Sequence, residues 1–463
     1  MLHSPLRGYS FTAAEGVGFI RKSCHAALLV GLASTALGQG PPTLQGKLTL
    51  DQAVQAALKN SLDLRVSYAG LHGAESMMRS AQSKTLPRLS FNSFEFGGSD
   101  AGIVGSAGSD PGAIMSVPRA GFADQNLMLM APLYTGGALA NGVRSAKEGV
   151  GIATADAESA AADLLLQVKS AYFRVLGARE MVKAEELRVK SAEEMERVAK
   201  EQLASGSGIE ASVQRTEAEA ADAGQGLTTA KNEVEKSLID LKLAMGVSLD
   251  SAIEVDDALS FTLPHGDLAS AIESARSKRG EVRAAAGRIK QADLGVRSAK
   301  AASSPQLYGV AMADSYSSGS MGSSTGAAVG LTLSIPIFDG GSRDADRAQA
   351  QSELDKARTS AAKVSLEVER DVRTTWLDVE SAAQNYTSAK AAVRSAQAAY
   401  DVICLRVQNG KAILVEELDS LQSLVRAMVN AAQSLYNHEL ALAQLDRAEG
   451  VVPPGFRASG GQK

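Results

Sequence analysis

The chain has 463 residues and a formal net charge of −5, with Lys and Arg mixed among Asp and Glu along its length. Aromatic residues make up only 4% of the chain, which argues against one large globular core and favours long helices packed through small side chains. No basic patch is interleaved with aromatic residues, so a nucleic-acid-binding protein is not indicated.

A secretory signal is predicted over residues 1–38. Arg21 and Lys22 provide a positive region, an apolar run follows at 26–37, and small residues near Gly38 resemble a cleavage site. The apolar run is shorter than the roughly 20 residues that a spanning helix needs. Because Cys24 would leave with the signal, Cys404 would be the one cysteine of the mature chain, and no internal disulfide is expected.

Each half of the chain is predicted to begin with a helix and a strand. In the first half the helix begins near Leu50, and residues 89–96 have strand character. The phase of the apolar alternation changes between Phe91 and Phe94, which predicts a β-bulge there. Residues 97–121 are rich in Gly and Ser and are predicted to be an exposed loop.

The clearest strand pattern lies just before Pro336. Apolar residues from Val329 to Ile335 alternate with small and polar ones, which predicts a strand with one apolar face. The polar segment 314–326 that precedes it is predicted to be another exposed loop.

Each predicted second strand ends in a proline followed by two glycines. Proline cannot donate to a strand ladder and paired glycines permit a sharp change of direction, so the strand is predicted to become a helix there. The residues of these turns are Pro132, Gly136 and Gly137 in the first half, and Pro336, Gly340 and Gly341 in the second.

Two very long helices without internal proline are predicted over residues 143–204 and 343–408. Each would be roughly 90 to 100 Å long at 1.5 Å per residue, so each needs lateral partners packed in coiled-coil fashion. Tight turns and proline-free return helices follow, at Gly206 with residues 210–245 and at Gly410 with residues 415–445.

The two halves are predicted to be internal repeats. Pro87 and Pro305 are 218 residues apart (305 − 87), whereas Pro132 and Pro336 are 204 apart (336 − 132). The halves therefore differ by one deletion of 218 − 204 = 14 residues between the strands, where loops tolerate changes in length. The predicted segments are the signal 1–38, a linker 39–47, the first repeat 48–246, a linker 247–266, the second repeat 267–450 and a disordered tail 451–463.

No arrangement of residues predicts catalysis. The histidines are scattered without ligand spacing, and no Ser/His/Asp set can be placed, so we predict no enzyme, no metal and no cofactor. Tyr172 and Trp376, at equivalent helix positions, are interpreted as packing anchors, and Cys404 as a packed small side chain.

Four strands cannot close a transmembrane barrel, because single-chain barrels have at least about eight and open edges are not tolerated in lipid. Several chains would have to share one barrel. This arrangement resembles the TolC-like outer-membrane efflux proteins, the outer membrane factors, over nearly all of residues 48–450. The resemblance rests on the paired motifs at 131–137 and 335–341 and on residues 406–410 followed by 415–419.

The resemblance implies a mainly α fold with a small β part. It implies a homotrimer that shares a 12-stranded transmembrane β-barrel, in contact with outer-membrane lipid, which continues into a long periplasmic α-helical barrel. The location would be the outer membrane of a Gram-negative-type bacterium. The function would be passive conduction through the exit duct of a tripartite efflux or type I secretion system. Its partners would be a periplasmic adaptor and an inner-membrane pump of the RND, ABC or MFS type.

The resemblance also implies a periplasmic entrance at the helix tips. Glu416 and Asp419 are three residues apart and share one helix face, so three copies would form an acidic ring that selects cations. The alternative is a solvated helix start, where carboxylates favour the helix dipole. Glu417 is expected on the surface.

The tips depart from the family pattern, with Val407 where a tyrosine is frequent, Ala412 where some members have a basic residue, and Ser212 where an acid can occur. Closure of the entrance is therefore assigned to Lys411, Glu210 or apolar packing.

Two alternatives are a periplasmic coiled-coil adaptor and a structural helical scaffold. An adaptor carries one helical hairpin, whereas two hairpins are predicted here. A scaffold does not explain alternating segments that end in Pro and Gly-Gly twice.

Overall fold

The computed structural model describes residues 42–96, 103–105, 114–116, 122–256, 261, 266–318 and 322–456. The predicted signal lies outside the described residues, as does most of the predicted loop 97–121. The chain is mainly helical with a small sheet part, as predicted.

The predicted elements occur in the predicted order, together with four short strands within the described residues that were not predicted, two of which lie in the predicted loop 97–121. The helices are α1 (Leu50–Asn60), α2 (Leu62–Ser83), α3 (Ala138–Ala204), α4 (Glu210–Met245), α5 (Leu268–Lys278), α6 (Gly280–Ala301), α7 (Ser342–Gln408) and α8 (Leu414–Glu449). The strands are β1 (Gln45–Leu48), β2 (Arg88–Phe96), β3 (Ile103–Gly105), β4 (Ile114–Ser116), β5 (Phe122–Tyr134), β6 (Ala252–Val255), β7 (Gln306–Ser318) and β8 (Gly322–Ser334).

The long helices α3 and α7 have 67 residues each, which corresponds to about 100 Å. The return helices α4 and α8 have 36 residues each. Among the described residues, none of the helices is both long enough and apolar enough to cross a membrane.

The main sheet has four antiparallel strands in the order β2-β5-β7-β8. Alternation gives it two different faces. One row of neighbouring residues across the strands, on the apolar face, consists of Phe91, Leu127 and Ala313. One residue along, Asn92, Asn126 and Asp314 lie on a ladder of the polar face.

The β-bulge predicted between Phe91 and Phe94 is wrong, because β2 pairs with β5 in unbroken register through both residues. Phe94 simply lies on the face opposite to Phe91. The irregularity falls instead between Pro132 and Tyr134, where β5 pairs with β7. A proline has no N–H to donate, so the ladder is interrupted there.

The segment 314–326 is also not the loop that was predicted. Residues 314–318 extend β7 and residues 322–326 extend β8 in regular register. Backbone hydrogen bonds between the two strands hold this hairpin regardless of its Ser- and Gly-rich composition, which misled the prediction.

The largest apolar core lies where α1 and the strands β1 and β6 pack against the middle of α3 and the end of α4. β1 and β6 pair in parallel, although both belong to segments predicted as linkers. Tyr172 of α3 is buried there, and its hydroxyl shares its one proton between the carbonyl of Asp256 at 2.5 Å and that of Leu48 at 3.1 Å. Tyr172 is thus a packing anchor that also ties both strands to α3.

The start of the predicted disordered tail is ordered. Val451 and Val452 pack against the same core, and the ring of Phe456 stacks on Tyr68 at 6.1 Å. Gln55 Nε2 donates to the carbonyl of Pro454 at 2.8 Å. These apolar side chains find a surface that a composition-based prediction could not anticipate. The residues after 456 lie outside the described part of the chain.

A network of charges joins the corresponding elements of the second half. Arg279, only 8% exposed, donates to Asp371 at 3.2 Å and to Glu281 at 3.3 Å, and Arg447 donates to Glu281 at 2.5 Å. Burial alone would raise the pKa of Glu281, but the hydrogen bonds from Arg279 and Arg447 outweigh it and lower that pKa to about 2.

Helices α3 and α6 approach closely through small residues. A Cβ added at Gly280 would lie 2.2 Å from the carbonyl oxygen of Ala155 and 2.3 Å from Ser159 Oγ. On the same helix, a Cβ at Gly295 would meet nothing within 4 Å.

We therefore expect Gly280→Ala to destabilise the protein by about 1–3 kcal/mol, because α6 must move away from α3. Gly295→Ala is the matched control and should be neutral or stabilising by up to about 1 kcal/mol, since it removes only the flexibility of glycine. Thermal unfolding followed by circular dichroism measures both. Equal unfolding midpoints would show that the two helices do not pack this closely.

Candidate functional site: the helix tips

Both helical hairpins end in tight turns built on glycine. Gly206 has a φ of +75° and Gly410 a φ of +67°, a left-handed conformation that favours glycine. The N–H groups of Gly206 and Gly410 donate to the carbonyls of Leu203 at 3.0 Å and Val407 at 2.9 Å. The turns thus lie at the glycines that the sequence indicated.

The strand-to-helix turns also use the predicted glycines. Gly136 and Gly137 have φ values of +60° and +89°, and Gly340 and Gly341 have +67° and +90°. A Cβ at Gly136 would lie 2.3 Å from Ser304 Cβ, so the first turn is packed against the connection between α6 and β7. Pro132 lies inside β5, whereas Pro336 lies two residues after the end of β8.

The predicted entrance residues gather at the tip between α7 and α8. Glu416 and Asp419 lie on the first two turns of α8, and both side chains are exposed. Lys411 lies in the turn and is also exposed, and its carbonyl accepts a hydrogen bond from Arg406 at 3.3 Å. Within the described part of the chain, none of the three side chains takes part in an ion pair. Their role in an acidic ring stays a prediction, because the ring requires further copies of the chain.

Apolar packing orients the face of α8 that carries Glu416 and Asp419. Leu418, Leu421 and Val425 of α8 are buried with Met195 of α3. The helix period then directs positions 416 and 419 away from this contact. The two hairpins therefore lie side by side, with the free carboxylates on the other side of α8.

The expectation that Glu417 lies on the surface is wrong. Its carboxylate is half-buried between the helices and accepts a hydrogen bond from Cys404 Sγ at 3.3 Å. Burial raises the pKa of Glu417, and burial together with this carboxylate raises the pKa of the Cys404 thiol to about 11. The pair links α7 to α8 about two turns from the tip.

A second contact links α7 to α3. Tyr400 donates from its hydroxyl to Ser191 Oγ at 3.2 Å, and burial raises the pKa of Tyr400 to about 12. Sequence reasoning missed Tyr400, Ser191 and the Cys404–Glu417 pair. The partners lie on different helices, and no motif in the sequence relates them.

The first tip differs from the second. Ser212 is half-buried and Arg215 is exposed at the positions that correspond to Glu416 and Asp419. Several acids of the neighbouring turns form ion pairs, such as Glu194 with Arg197 at 2.5 Å and Glu217 with Lys200 at 3.0 Å. Glu210 lies in the first turn of α4. The first tip therefore has no acid at the two positions that Glu416 and Asp419 occupy in the second.

Comparisons with known proteins agree with this architecture. A family model for outer membrane efflux proteins matches residues 53–247 and 271–451. The outer membrane efflux protein BepC of Brucella suis biovar 1 (strain 1330) is 23% identical over 398 residues, which cover 85% of this chain and 83% of BepC.

Two solved outer membrane proteins share the fold. The Campylobacter jejuni outer membrane channel CmeC aligns with a TM-score of 0.73 at 19% identity, over 89% of this chain and 87% of that one. The outer membrane protein VceC from Vibrio cholerae aligns with a TM-score of 0.72 at 18% identity, over 87% and 96%.

The raised pKa of Cys404 makes a testable prediction in a Cys24→Ser background. At pH 8 only about 0.1% of a thiol with a pKa of about 11 is thiolate, so iodoacetamide should label Cys404 about a hundredfold more slowly than an unperturbed cysteine. The rate should rise about tenfold per pH unit up to pH 10. Glu417→Gln removes a negative charge that raises the thiol pKa and should speed labelling, whereas the unfolded chain in denaturant should react at the ordinary rate. Ordinary reactivity of Cys404 in the folded protein at pH 8 would contradict its half-buried position beside Glu417.

Proposed function

Because this chain belongs to the outer membrane efflux protein family, we propose that it forms the outer-membrane exit duct of a tripartite efflux or type I secretion system. The family consists of efflux channels rather than enzymes. The observation that carries the proposal is a four-stranded sheet with an exposed apolar face that leads directly into two helices of 67 residues. The chain thus joins a sheet that would lie in the membrane to helices that would form the wall of a long duct.

We propose that three copies share one 12-stranded barrel. The edge strands β2 and β8 each have one neighbour within the described chain, and open edges are not tolerated in lipid. On β8, Val329 is 88% exposed and Leu331 is 71% exposed, which in a single chain would place large apolar side chains in water. Pairing of β8 with β2 of the next copy closes the edges, and lipid covers the apolar face.

The unequal burial of the long helices supports the same assembly. Buried positions number 16 in α3 but only 5 in α7. Leu366 and Leu377 of α7 remain exposed. A long helix needs lateral partners, so α7 is the helix that a neighbouring copy would cover in a continuous α-helical barrel.

We propose that the chain consists of two structural repeats over residues 48–246 and 267–450. Equal lengths of α3 and α7, and of α4 and α8, support this. Gly246 packs against the backbone of Asn60, and Gly450 packs in the same way against the backbone of Arg279.

The duct would conduct passively. A periplasmic adaptor would grip the helical hairpins and couple them to an inner-membrane pump of the RND, ABC or MFS type. Likeness to the family supports these partners. The exposed apolar face of the sheet disfavours the alternatives of a periplasmic adaptor or a helical scaffold, because neither requires it.

The first test is assembly and conductance. The protein should require detergent for extraction, migrate as a heat-modifiable trimer and open conducting pores in planar bilayers. A detergent-independent, elongated protein without conductance would rule out the duct.

The second test concerns the entrance. We expect Glu416→Gln/Asp419→Asn to lower the cation-to-anion permeability ratio by about twofold or more, since it removes the unpaired negative charge at the tip. The effect should be largest at 0.01 M salt, where the screening length is about 30 Å. Glu186→Gln/Glu193→Gln, which removes two exposed and unpaired acids of α3, is the control with the same charge change. Unchanged selectivity would favour the solvated helix start.

A further inference from the structure

A groove lies between the beginning of α3, the end of α6 and the part of α7 that contains Leu354 and Arg358. Its volume is about 520 Å³. Five cationic side chains line it, namely Arg144, Lys147, Lys290, Arg297 and Arg358. We call it the basic groove.

The positive charge of the basic groove is only partly neutralised. Arg297 pairs with Asp293 at 2.8 Å, and Arg358 pairs with Asp355 at 3.5 Å. Arg144, Lys147 and Lys290 are exposed and make no ion pair within the described part of the chain. With five cations and two carboxylates in the lining, the groove is cationic although the whole chain has a net charge of −5.

The base of the groove is apolar. Leu354 of α7 is 4% exposed and Leu294 of α6 is 9% exposed, and both contribute to the lining. A rim of cations above an apolar base suits a ligand that has an anionic head joined to an apolar body.

The groove opens at the end of the helices that adjoins the sheet. Arg144 and Lys147 lie on the second and third turns of α3, and Arg297 lies on the last two turns of α6. At 1.5 Å per residue they are within about 15 Å of the strand-to-helix turns. The exposed apolar residues that continue from β8 reach these turns, with Ile337 92% exposed and Phe338 89% exposed. If the sheet lies in a membrane, the groove borders the headgroups of the leaflet on the helical side.

We infer that the basic groove binds the anionic headgroup of a phospholipid from that leaflet. The inference rests on the proposed function, because only a membrane-embedded sheet brings the groove to lipid. Clustered Lys and Arg beside a membrane-embedded segment attract anionic headgroups, and basic pockets between helices bind them specifically. Helix α6 has α3 on one side and α7 on the other, so the groove is complete within a single chain.

The experiment uses the full-length protein in detergent, titrated with phosphatidylglycerol or phosphatidylcholine and followed by native mass spectrometry. Wild-type protein should bind phosphatidylglycerol at least about tenfold more tightly than phosphatidylcholine. Arg144→Gln/Lys147→Gln/Lys290→Gln should reduce this preference to about twofold or less. The control Lys190→Gln/Lys231→Gln/Lys236→Gln removes three exposed cations outside the groove and should keep it.

Lys147→Glu is a single exposed change that keeps the test valid if the triple variant does not fold. It should lower phosphatidylglycerol affinity by about tenfold, since it replaces attraction by repulsion. Equal binding of both lipids, or unchanged binding by Lys147→Glu and the triple variant, would overturn the inference. Displacement of the lipid by inorganic phosphate at equal concentration would also overturn the inference, because the groove would then be a phosphate site.

Conductance in bilayers of phosphatidylcholine alone separates the two proposals. Wild-type pores there, together with absent phosphatidylglycerol preference, would reject the basic groove and leave the duct intact. Absent pores in every lipid would reject the duct itself.

Discussion

The lateral packing of two helices of 67 residues is the constraint on which the remaining structure depends. A helix of that length has too little intrinsic stability to persist alone in water. α3 meets α1, α2 and α6 towards the sheet and α4 and α8 towards the tip. Close approach is achieved with glycine and alanine, as where Gly280 lies against Ala155. This explains the scarcity of aromatic residues in the composition, because bulky side chains would separate the helices.

The two halves contain helices of equal length, α3 with α7 and α4 with α8, but apolar contacts and charges stabilise them in different proportions. In the first half, Tyr172 and an apolar core hold β1 and β6 against α3. In the second half, a smaller apolar cluster that includes Val368 and Val372 is accompanied by a partly buried network in which Arg279 and Arg447 hold Glu281. An apolar core tolerates change of pH, whereas the network depends on an ionised carboxylate. The lowered pKa of Glu281 keeps that carboxylate ionised until the pH falls towards about 2.

The tips of the two helical hairpins also differ in how their charges are paired. Ion pairs hold Glu194 and Glu217 near the first turn, while Glu416 and Asp419 make no ion pair on the exposed face of α8 within the described chain. The contacts of Glu417 with Cys404 and of Tyr400 with Ser191 lie just behind them. The second hairpin therefore has both unpaired charge at its tip and polar contacts between its own helices and to α3.

The hydrophobic periodicity of the sequence and the positions of its glycines and prolines determined the order of the elements. Uninterrupted helical pattern, paired glycines and alternating strands are local signals, so α3, α7, the turns at Gly206 and Gly410 and the strand-to-helix turns were all predictable. The family was predictable for the same reason, because its motifs lie at those turns. Tertiary structure alone decided the burial of Glu417, the pairing of β1 with β6, the ordering of the chain to Phe456 and the convergence of cations in the basic groove. Each of these joins residues far apart in the chain, and a local pattern contains no information about which distant surface a side chain will meet.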